Sequence, residues 1–538
     1  MEKRILFLIP PKMFGYQQFT KSIVSSSSVT SSVPYGVLSI ASYIKYYSST
    51  ELVIKIIDFS ILPGSPEEIK DNVQKTMKEF KPDIVGISAL FSLVYDSIKY
   101  FCDMVKSIDT SVVTVAGGAC AMNDYHKLLE DTKTLDAICY AEGEKPFLRL
   151  VDAESPHHVL NNDAAWITRK SLADGTVPIA DYIYNLDEIP FLDFDLIDYK
   201  RFKPPLDFNA FSDSINDASD SVFLSIHSTR GCPFNCIFCA VGAIHGKKMR
   251  FMTSKYTLES IQYMVEKYGL THLTFEDDQF LIDKKRAKEI LQGIYDLKTK
   301  IEVSISAVTV SFVDDEIAAL MKQIGIDRLT LAIEHGSEYV LRYIIEKPFT
   351  MSQLKNAIKV LKKNDISVSS VIVTGLPGER EADRDETVRL IKELGIDWTS
   401  FHTATPFKGS RLYDICMENG YVKEEDISNT DMKHAVINTP DMSAEYITEK
   451  TYLMNLEVNF VHNYRMKIED FETALVWFNE VIRKYPEHAL AHYYISKAYK
   501  GMHDTHSAER HFTMFENIVS YNEDWRKYAK YFSLIEGG

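Results

Sequence analysis

The stretch VFLSIHSTRGCPFNCIFC, residues 222–239, joins a strand-like apolar run to three closely spaced cysteines. Cys232, Cys236 and Cys239 follow the run with the spacing C-x3-C-x2-C. In barrels of alternating strands and helices, the residues that follow a strand lie at the end where chemistry occurs. The stretch therefore predicts a strand that presents three thiols to a functional site.

Five more apolar runs follow this strand, separated from one another by stretches with helical spacing. The runs are HLTFED (272–277), IEVSIS (301–306), RLTLAIE (328–334), SVSSVIVTG (367–375) and WTSFHTATP (398–406). Six strands that alternate with helices are typical of a partial (β/α)6 barrel of the TIM type. We expect this barrel domain to span residues 221–440.

The first 155 residues show the same alternation and predict a second α/β domain, residues 1–155. Its strand-like runs are RILFLI (4–9), LVIKII (52–57), DIVGIS (83–88), VVTVA (112–116) and DAICY (136–140). This pattern favours a doubly wound, Rossmann-like parallel sheet that binds ligands beyond the carboxyl ends of its strands. The serine-rich stretch SSSSVTSS (25–32) is either a solvated linker or a loop over a bound cofactor.

The two α/β domains are separated by a predicted linker or excursion, residues 156–220. Its clearest part is KPPLDFNAFSDSINDASDS (203–221), which is poor in aliphatic residues and rich in Asp, Ser and Asn. Such a composition is typical of a loop.

Residues 441–538 lack strand-like runs and predict an α-helical domain. Ala474 and Phe478 recur 34 positions later as Ala508 and Phe512. This period and pattern resemble tetratricopeptide (TPR) repeats. Because barely two repeats are present, we expect the helices to dock on the barrel rather than to form a free binding array.

The composition is that of a soluble globular protein and disfavours nucleic-acid and membrane partners. The chain has 538 residues, 45% hydrophobic and 25% charged, with a formal net charge of −16, whereas a nucleic-acid binder normally shows a basic face. The apolar run after MEKR stops at Pro10 and Pro11, too early for a signal peptide or a membrane span. The seven cysteines form no plausible disulfide framework, which favours a cytoplasmic location.

Two kinds of metal site are compatible with three clustered cysteines. A structural zinc site needs four N or S ligands, of which His227 or His245 could supply the fourth. A 4Fe-4S cluster held by three thiolates instead leaves one iron open for another ligand. The scattered Cys102, Cys139 and Cys416 are expected in the core, so we predict no second cluster.

The cysteine stretch RGCPFNCIFC (230–239) resembles the cluster-binding loop of radical S-adenosylmethionine (radical SAM) enzymes, in which an aromatic residue, here Phe238, precedes the last cysteine. The resemblance implies a 4Fe-4S cluster on the three cysteines, with SAM bound at the open iron and near Phe238. It also implies that one electron, from a donor such as flavodoxin or ferredoxin, cleaves SAM to methionine and a 5′-deoxyadenosyl radical. Water must be kept away from such a radical.

Further stretches resemble SAM-binding motifs of the same family. FEDDQF (275–280) resembles the motif near the SAM amino group, LAIEHGSEYVL (331–341) the motif near its ribose or carboxylate, and VIVTGLPGER (371–380) the motif near its adenosine. TATPFKGSRLYD (403–414) resembles a sixth-strand motif, with Ser410 in place of Thr. The resemblance implies SAM contacts from Glu276, Asp277, Asp278, Glu334, Ser337, Gly375 and Pro377.

The N-terminal domain resembles the cobalamin-binding domain that precedes many radical SAM barrels. The resemblance rests on VPYGVLSIASYIK (33–45), GISALFS (86–92), VAGGACAMND (115–124) and AEGEKPF (141–147). It implies cobalamin contacts from Pro34, Tyr35, Ser88, Gly117, Gly118, Ala119, Glu142, Gly143 and Glu144. Because no D-x-H-x-x-G motif is present, we expect cobalt without a histidine ligand from this domain. The alternative is a lid domain that binds no cobalamin.

The resemblance favours one function over two others. The favoured function is methylation of an unactivated carbon of a small molecule or peptide, with a 4Fe-4S cluster, SAM and methylcobalamin. The alternatives are cyclisation, rearrangement or C–C coupling without net methyl transfer, and a non-catalytic interaction protein with a vestigial barrel. The side chains expected near the barrel mouth are His402, Thr403 and Arg250.

Overall fold

The structure is a computed structural model, and it describes residues 2–11, 33–62, 65–89, 95–202, 221–297, 299–306, 308–427 and 430–536. The serine-rich stretch 25–32 and almost all of the stretch 203–221 lie outside the described residues. The predictions for these two stretches therefore remain predictions.

The N-terminal domain is built on a six-stranded sheet. Its strands are β1 Lys3–Ile9, β2 Leu52–Asp58, β3 Ile84–Ser88, β4 Val113–Gly117, β5 Ala137–Cys139 and β6 Trp166–Ile167. They lie in the order β2-β1-β3-β4-β5-β6. The first five strands are parallel and coincide with the five predicted runs, whereas β6 pairs antiparallel with β5. The sequence analysis missed β6, because two residues are too few to show a period.

Helices cover both faces of this sheet, as a doubly wound fold requires. The helices are α1 Tyr35–Tyr47, α2 Pro66–Phe80, α3 Tyr95–Ile108, α4 Ala119–Asn123, α5 Tyr125–Asp131, α6 Glu144–Asp152, α7 Pro156–Asn162 and α8 Arg169–Ala173. Along β1, Ile5 and Phe7 pack in one core with α1 and α6, while Leu6 and Leu8 pack in another with α2 and α3. Alternate residues of one strand thus point to opposite faces, both of which are buried.

The second α/β domain contains six parallel strands in two three-stranded sheets, together with a short hairpin. The strands are β7 Phe223–Ile226, β8 Thr229–Arg230, β9 Arg250–Phe251, β10 His272–Phe275, β11 Glu302–Ile305, β12 Arg328–Glu334, β13 Ser367–Thr374 and β14 Trp398–Thr403. The sheets have the orders β11-β10-β7 and β12-β13-β14, and a parallel bridge between Val308 and Leu331 joins them. The six parallel strands coincide with the six predicted runs, and they share one hydrophobic core.

Helices follow most of these strands and complete the α/β layer. They are α9 Val241–Ile244, α10 Ser254–Tyr268, α11 Lys284–Asp296, α12 Asp315–Gln323, α13 Met351–Lys363, α14 Glu381–Leu394, α15 Arg411–Glu418 and α16 Glu424–Ile427. A π-helix, Val340–Ile345, follows β12. π-Helical turns are frequently found at functional sites.

The C-terminal region is helical and packs on the barrel domain. It contains α17 Ala444–Leu456, α18 Tyr464–Lys467, α19 Phe471–Lys484, α20 Ala489–Gly501, α21 Thr505–Tyr521 and α22 Glu523–Tyr531. The Asn459 side chain accepts from the backbone N–H of Thr399 at 2.9 Å and donates to its carbonyl at 2.8 Å. The rings of Trp398 and Trp477 are parallel with centroids 5.1 Å apart, and the Arg328 guanidinium lies 4.4 Å from the Trp477 ring centre. The helices therefore dock at the amino ends of β12 and β14, which agrees with the expected docking.

The two repeat-related positions differ in their surroundings. Ala474 and Ala508 are both buried, but Phe478 is fully buried while Phe512 is 42% exposed.

Within the described parts of the chain, no helix is both long and apolar enough to cross a membrane.

Candidate cofactor site between the two α/β domains

The three cysteines lie on a loop, residues 231–249, which leaves the barrel through the antiparallel β8–β9 hairpin. The loop is closed by the Cys232 N–H, which donates to the Gly246 carbonyl at 3.2 Å. It is anchored to the barrel through Ile237, whose N–H donates to Ile345 at the end of the π-helix and whose carbonyl accepts from Leu412. The cysteine-bearing stretch is therefore held at both ends and in its middle.

Gly231 and Asp278 fix the start of this loop. Gly231 has φ +90°, and a Cβ there would lie 2.5 Å from the Lys248 carbonyl oxygen, so only glycine fits. Its N–H donates to the Asp278 carboxylate at 2.8 Å. The Asp278 carboxylate thus holds the cysteine loop, and its expected contact with the SAM amino group stays a prediction.

The thiols lie in a partly buried environment. Cys232 and Cys236 are half-buried and Cys239 is exposed, while Phe238 packs on the barrel core. Burial raises the pKa of Cys236 to about 11, although attraction to the Lys347 ammonium works in the opposite direction. The Gln279 amide lies 3.7 Å from the Cys232 sulfur and is oriented by a hydrogen bond from Thr309.

A single-ion site is not formed by these groups. Within the described residues, no three His, Cys, Asp or Glu side chains are placed to ligate one metal ion. In an iron–sulfur cluster, each thiolate binds a different iron, so the three sulfur atoms need not converge. The donor set of three thiols on one anchored loop fits such a cluster.

The end of β10 carries an available carboxylate oxygen. Asp277 accepts from the Ser228 hydroxyl at 2.8 Å through Oδ1, whereas its Oδ2 is buried without a partner among the described residues. Burial raises the pKa of Asp277 above its ordinary value. Glu276 lies 3.4 Å from the His227 ring nitrogen Nε2. A buried acceptor without a partner is the feature expected where a ligand cation binds.

The end of β12 holds a buried ion pair beside the cysteine loop. Glu334 has φ +68°, a strained conformation for this residue, and its carboxylate lies 2.9 Å from the Lys347 ammonium. The predicted SAM contact Ser337 is 1% exposed, and its hydroxyl donates to Asp383 at 2.8 Å. Ser337 therefore braces α14, and its expected contact with SAM stays a prediction.

The turn after β13 is braced by a buried glutamate that the sequence analysis missed. Glu379 accepts from the backbone N–H groups of Gly375 and Leu376, and its other oxygen lies 3.2 Å from the His335 ring. A Cβ on Gly375 would lie 2.6 Å from Ile447 on α17. The Gly375 N–H is thus used internally, and the half-buried Pro377 is the more open of the two predicted contacts.

The carboxyl ends of β3 and β4 form an open edge of small residues. Ser88 lies opposite Gly117 in the register, and Ser88, Gly117, Gly118 and Ala119 are all partly exposed. Gly118 has φ +96°, and a Cβ there would lie 2.5 Å from the Ala89 carbonyl oxygen. Cys120 is buried, as expected of a core residue. Partly exposed backbone with small side chains is what the close approach of a bulky ligand requires.

Glu142 and Glu144, which follow β5, do not face this edge. Glu142 binds both Arg250 nitrogens, at 2.8 and 2.5 Å, and lies 3.1 Å from Arg230. Glu144 lies 2.7 Å from Arg230 and accepts from Ser39. Both carboxylates are occupied by guanidinium groups of the β8–β9 hairpin, and the expectation that the two glutamates contact cobalamin stays a prediction. We name Glu142, Glu144, Arg230 and Arg250 the interdomain charge cluster.

This cluster is buried and electrostatically balanced. The four side chains are at most 4% exposed, and two carboxylates face two guanidinium groups. Burial alone would raise the pKa of Glu142, but Arg230, Arg250 and His245 hold that pKa well below its ordinary value. The expected place of Arg250 at the barrel mouth is also corrected, since its guanidinium is buried at the domain interface.

The remaining predicted residues complete the interface. Tyr35 stacks on His227 with ring centroids 4.3 Å apart, and burial raises the Tyr35 pKa to about 12. Its ring therefore lies in the domain interface, and its expected contact with cobalamin stays a prediction. Pro34 lies immediately before α1. Gly143 packs closely against α1, since a Cβ on it would lie 2.6 Å from Ile40. His402 is half-buried and Thr403 is buried at the end of β14.

A second set of contacts, between residues that follow β14 and residues at the end of α4, shows how the two α/β domains face each other. Lys408, beyond β14, forms ion pairs with Asp124, beyond α4, and with Glu424. A Cβ on Gly409 would lie 2.7 Å from Asn123. Together with the charge cluster, these contacts place the carboxyl ends of both sets of parallel strands opposite each other.

Comparison with known proteins agrees with this architecture. Residues 22–151 match the B12 binding domain, and residues 226–391 match the radical SAM superfamily. An uncharacterised methyltransferase of Pyrococcus horikoshii is 29% identical over 417 residues, which cover 77% of this chain and 83% of the relative.

Two solved structures share the fold. The radical SAM methyltransferase TsrM from Kitasatospora setae, with cobalamin and a [4Fe-4S] cluster bound, has a TM-score of 0.58 at 13% identity, over 79% of this chain and 76% of that chain. The cobalamin-dependent SAM radical enzyme OxsB, with aqua-cobalamin and SAM bound, has a TM-score of 0.61 at 12% identity, over 100% of this chain and 82% of that chain.

The fold, the cysteine loop and the two domain matches together define a protein with two α/β domains, the second of which carries a loop whose cysteines fit a metal cluster. The chain is a radical SAM enzyme with an N-terminal B12-binding domain and a C-terminal helical region. These are the domains that the expected cofactors, a 4Fe-4S cluster, SAM and cobalamin, require.

Proposed function

We propose that this enzyme is a cobalamin-dependent radical SAM methyltransferase that methylates an unactivated carbon of a small molecule or peptide. The observation that carries the proposal is the opposed arrangement of two ligand-binding edges. The cysteine loop and the open edge at Ser88 and Gly117–Ala119 belong to different domains, and buried contacts hold the two domains face to face.

Residues of the barrel would hold the cluster and SAM. Cys232, Cys236 and Cys239 are the cluster ligands, and the unpartnered Oδ2 of Asp277 is suited to a ligand ammonium. Glu334 lies beside the same loop, where its pairing with Lys347 keeps both charges in place. When bound, cluster and SAM supply a radical that abstracts hydrogen, and cobalamin supplies the methyl group.

The N-terminal domain would hold cobalamin against the carboxyl ends of β3 and β4. The partly exposed Ser88, Gly117, Gly118 and Ala119 leave space for a corrin, and glycine at position 118 is required by the Ala89 contact. The absence of D-x-H-x-x-G from the sequence supports cobalt without a histidine ligand from this domain.

The interface would also exclude water from the reaction. Tyr35, His227 and the interdomain charge cluster bury the space between the loop after β5 and the β8–β9 hairpin. A reactive radical requires such exclusion. We place the enzyme in the cytoplasm, where its thiols stay reduced and an electron donor such as flavodoxin or ferredoxin is available.

The finer architecture belongs to the same proposal. We infer domains at 1–155, 156–220, 221–440 and 441–538. The six parallel strands are a partial (β/α)6 barrel flanked by α17, whose Thr451 hydroxyl lies 2.6 Å from that of Thr374 on β13. Helices α19–α22 are a TPR-like pair of hairpins.

The test is anaerobic reconstitution followed by two product measurements. About four irons per chain are expected for one cluster, together with bound cobalamin. With dithionite and SAM carrying a CD3 methyl group, we expect 5′-deoxyadenosine and CD3-labelled methylcobalamin by mass spectrometry. The Cys236→Ala variant is the control, and it should lose the cluster and 5′-deoxyadenosine while it keeps cobalamin. 5′-Deoxyadenosine without labelled cobalamin would instead support cyclisation, rearrangement or C–C coupling.

A further inference from the structure

The cysteine loop has an unusual charge for this chain. The protein carries 76 acidic and 60 basic residues, yet residues 231–249 contain two lysines and no Asp or Glu. The lysines, Lys247 and Lys248, are both exposed. A strongly acidic protein therefore presents a purely basic surface at the loop that carries its cysteines.

The two lysines lie directly against the cysteine-bearing stretch. The Lys247 ammonium donates to the Asn235 side chain at 2.6 Å, and Asn235 immediately precedes Cys236. The Lys248 carbonyl lies against Gly231, and the preceding Gly246 carbonyl accepts from the Cys232 N–H. Any protein that binds these ammonium groups thus approaches the three thiols closely.

Neither ammonium is neutralised within the described parts of the chain. Among the described residues, no carboxylate lies within 4.0 Å of the Lys247 or Lys248 ammonium; Lys247 contacts Asn235, and Lys248 lies 5.0 Å from the centre of the Tyr184 ring. Two acids, Asp181 and Asp187, lie three positions from Tyr184 in sequence. Asp181 is already paired with Lys145 and Arg149, and Asp187 accepts from Thr253. Tyr184 is 61% exposed, which adds an aromatic ring to the same surface. Tyr is enriched at protein–protein interfaces, and cations without a carboxylate partner attract a protein of opposite charge.

We propose that Lys247, Lys248 and Tyr184 form the docking surface for an acidic electron-carrier protein. The proposal rests on the proposed function, which requires one electron for each SAM cleavage. On docking, the carrier loses one electron, the 4Fe-4S cluster gains it, and no proton or bond is exchanged. Charge complementarity would guide this encounter, because a carrier with an acidic face is attracted by the two ammonium groups, whereas the net charge of the whole chain is −16.

The first test is binding of an acidic flavodoxin to the reconstituted enzyme at low ionic strength. We expect the double variant K247E/K248E to bind about tenfold more weakly, with the difference lost in high salt because exposed charges are screened. The matched control is K255E/K285E, which makes the same change in net charge at two exposed lysines on α10 and α11. The neutral double variant K247Q/K248Q should bind flavodoxin with intermediate affinity. It tests whether the weaker binding of K247E/K248E results from charge and not from misfolding of the loop.

The second test compares two reductants on the same samples. Reduced flavodoxin should reduce the cluster of K247E/K248E about tenfold more slowly than that of the control variant, while dithionite, which needs no docking surface, should reduce both equally. Equal rates and affinities for the two double variants would overturn the proposal, as would RNA binding at these lysines in place of flavodoxin. A wild-type protein that forms no cluster reducible by dithionite would instead overturn the proposed function.

Discussion

Gly231 precedes the first cysteine and adopts a backbone conformation that other residues reach only with strain. Its φ of +90° and the short approach of the Lys248 carbonyl leave no room for a Cβ. The Asp278 carboxylate accepts its N–H and so fixes its orientation. The geometry of the cysteine loop therefore depends on a residue that has no side chain and binds no metal.

We predict that Gly231→Ala prevents cluster assembly without unfolding the protein. A left-handed conformation costs an alanine roughly 1–2 kcal/mol, and its methyl group would displace the Lys248 carbonyl. Iron content after reconstitution should fall several-fold, while the circular dichroism spectrum stays that of the wild type. Gly242→Ala, on the same loop, is the matched control, because its nearest neighbour would be the Lys247 side chain at 3.9 Å. Equal iron content in the two variants would contradict the prediction.

Residue identities alone located the clustered cysteines but not the side chains that support their loop. The cysteine spacing is visible in eight consecutive letters, whereas the partner of Arg250 is Glu142, 108 positions away. The resemblance of AEGEKPF (141–147) to a cobalamin-binding domain implied contacts of Glu142 and Glu144 with cobalamin. Only the packed interface shows that guanidinium groups of the other domain occupy their carboxylates.

Among the elements, α20 and α21 are joined by a buried histidine pair. The His492 Nδ1 and His511 Nδ1 atoms lie 3.0 Å apart, and His492 Nε2 lies 2.9 Å from the Pro486 carbonyl oxygen. A carbonyl only accepts, so His492 donates through Nε2 and its Nδ1 accepts from His511. His511 Nε2 then accepts from Arg510 at 3.2 Å. The chain of hydrogen bonds is complete only when both rings are neutral.

We predict that α20 and α21 lose stability as the pH falls below about 6.5, the ordinary pKa of histidine. Burial and the neighbouring His492 and Arg510 lower the pKa of His511 to about 4. Between about pH 4 and pH 6.5, the unfolded segment binds more protons than the folded segment. The stability of the folded segment is therefore fully present above about pH 6.5 and is lost towards pH 4. The free energy of unfolding of this segment changes by at most about 1.4 kcal/mol per pH unit for each histidine.

Hydrogen exchange of the full chain at pH 7 and pH 5 measures this effect. Amides of 489–501 and 505–521 should lose protection at pH 5 after correction for the intrinsic rate. Helix α2 contains no histidine and serves as the internal reference. His511→Gln should reduce the pH dependence, since an amide can donate to His492 but does not titrate. An unchanged pH dependence in this variant would count against the histidine pair.

The sequence predicted the strands and helices more completely than it predicted the contacts of the candidate site. The eleven predicted runs all became parallel strands, because buried parallel strands are continuous apolar runs that local sequence reveals. The π-helix Val340–Ile345 and the short β6 were missed, since neither has a period that distinguishes it from its surroundings. The exposed Phe512 shows the same limit, because a repeat pattern does not specify what its last unit packs against.

In the molecule as a whole, the interdomain charge cluster connects the two ligand-binding edges. Arg230 and Arg250 face each other in the β8–β9 hairpin, directly at the two ends of the cysteine loop. Both bind Glu142, which follows the last parallel strand of the B12-binding domain. The distance between the cysteine loop and the cobalamin edge is therefore set by four buried side chains.

We predict that Glu142→Ala destabilises the full chain by about 3–5 kcal/mol, because it leaves Arg250 as a buried charge without a carboxylate. The free energy of unfolding from urea titration measures this loss. Asp174→Ala is the control, since it removes an ion pair to Lys170 that is more than half exposed and should cost less than about 1 kcal/mol. Replacing both partners, in Glu142→Met with Arg250→Met, should recover much of the loss, because two apolar side chains leave no unpaired charge and Arg230 keeps Glu144. If Glu142→Ala costs no more than Asp174→Ala, the cluster does not hold the domains together, and the spacing of the two edges must depend on the Tyr35–His227 stack and Lys408 instead.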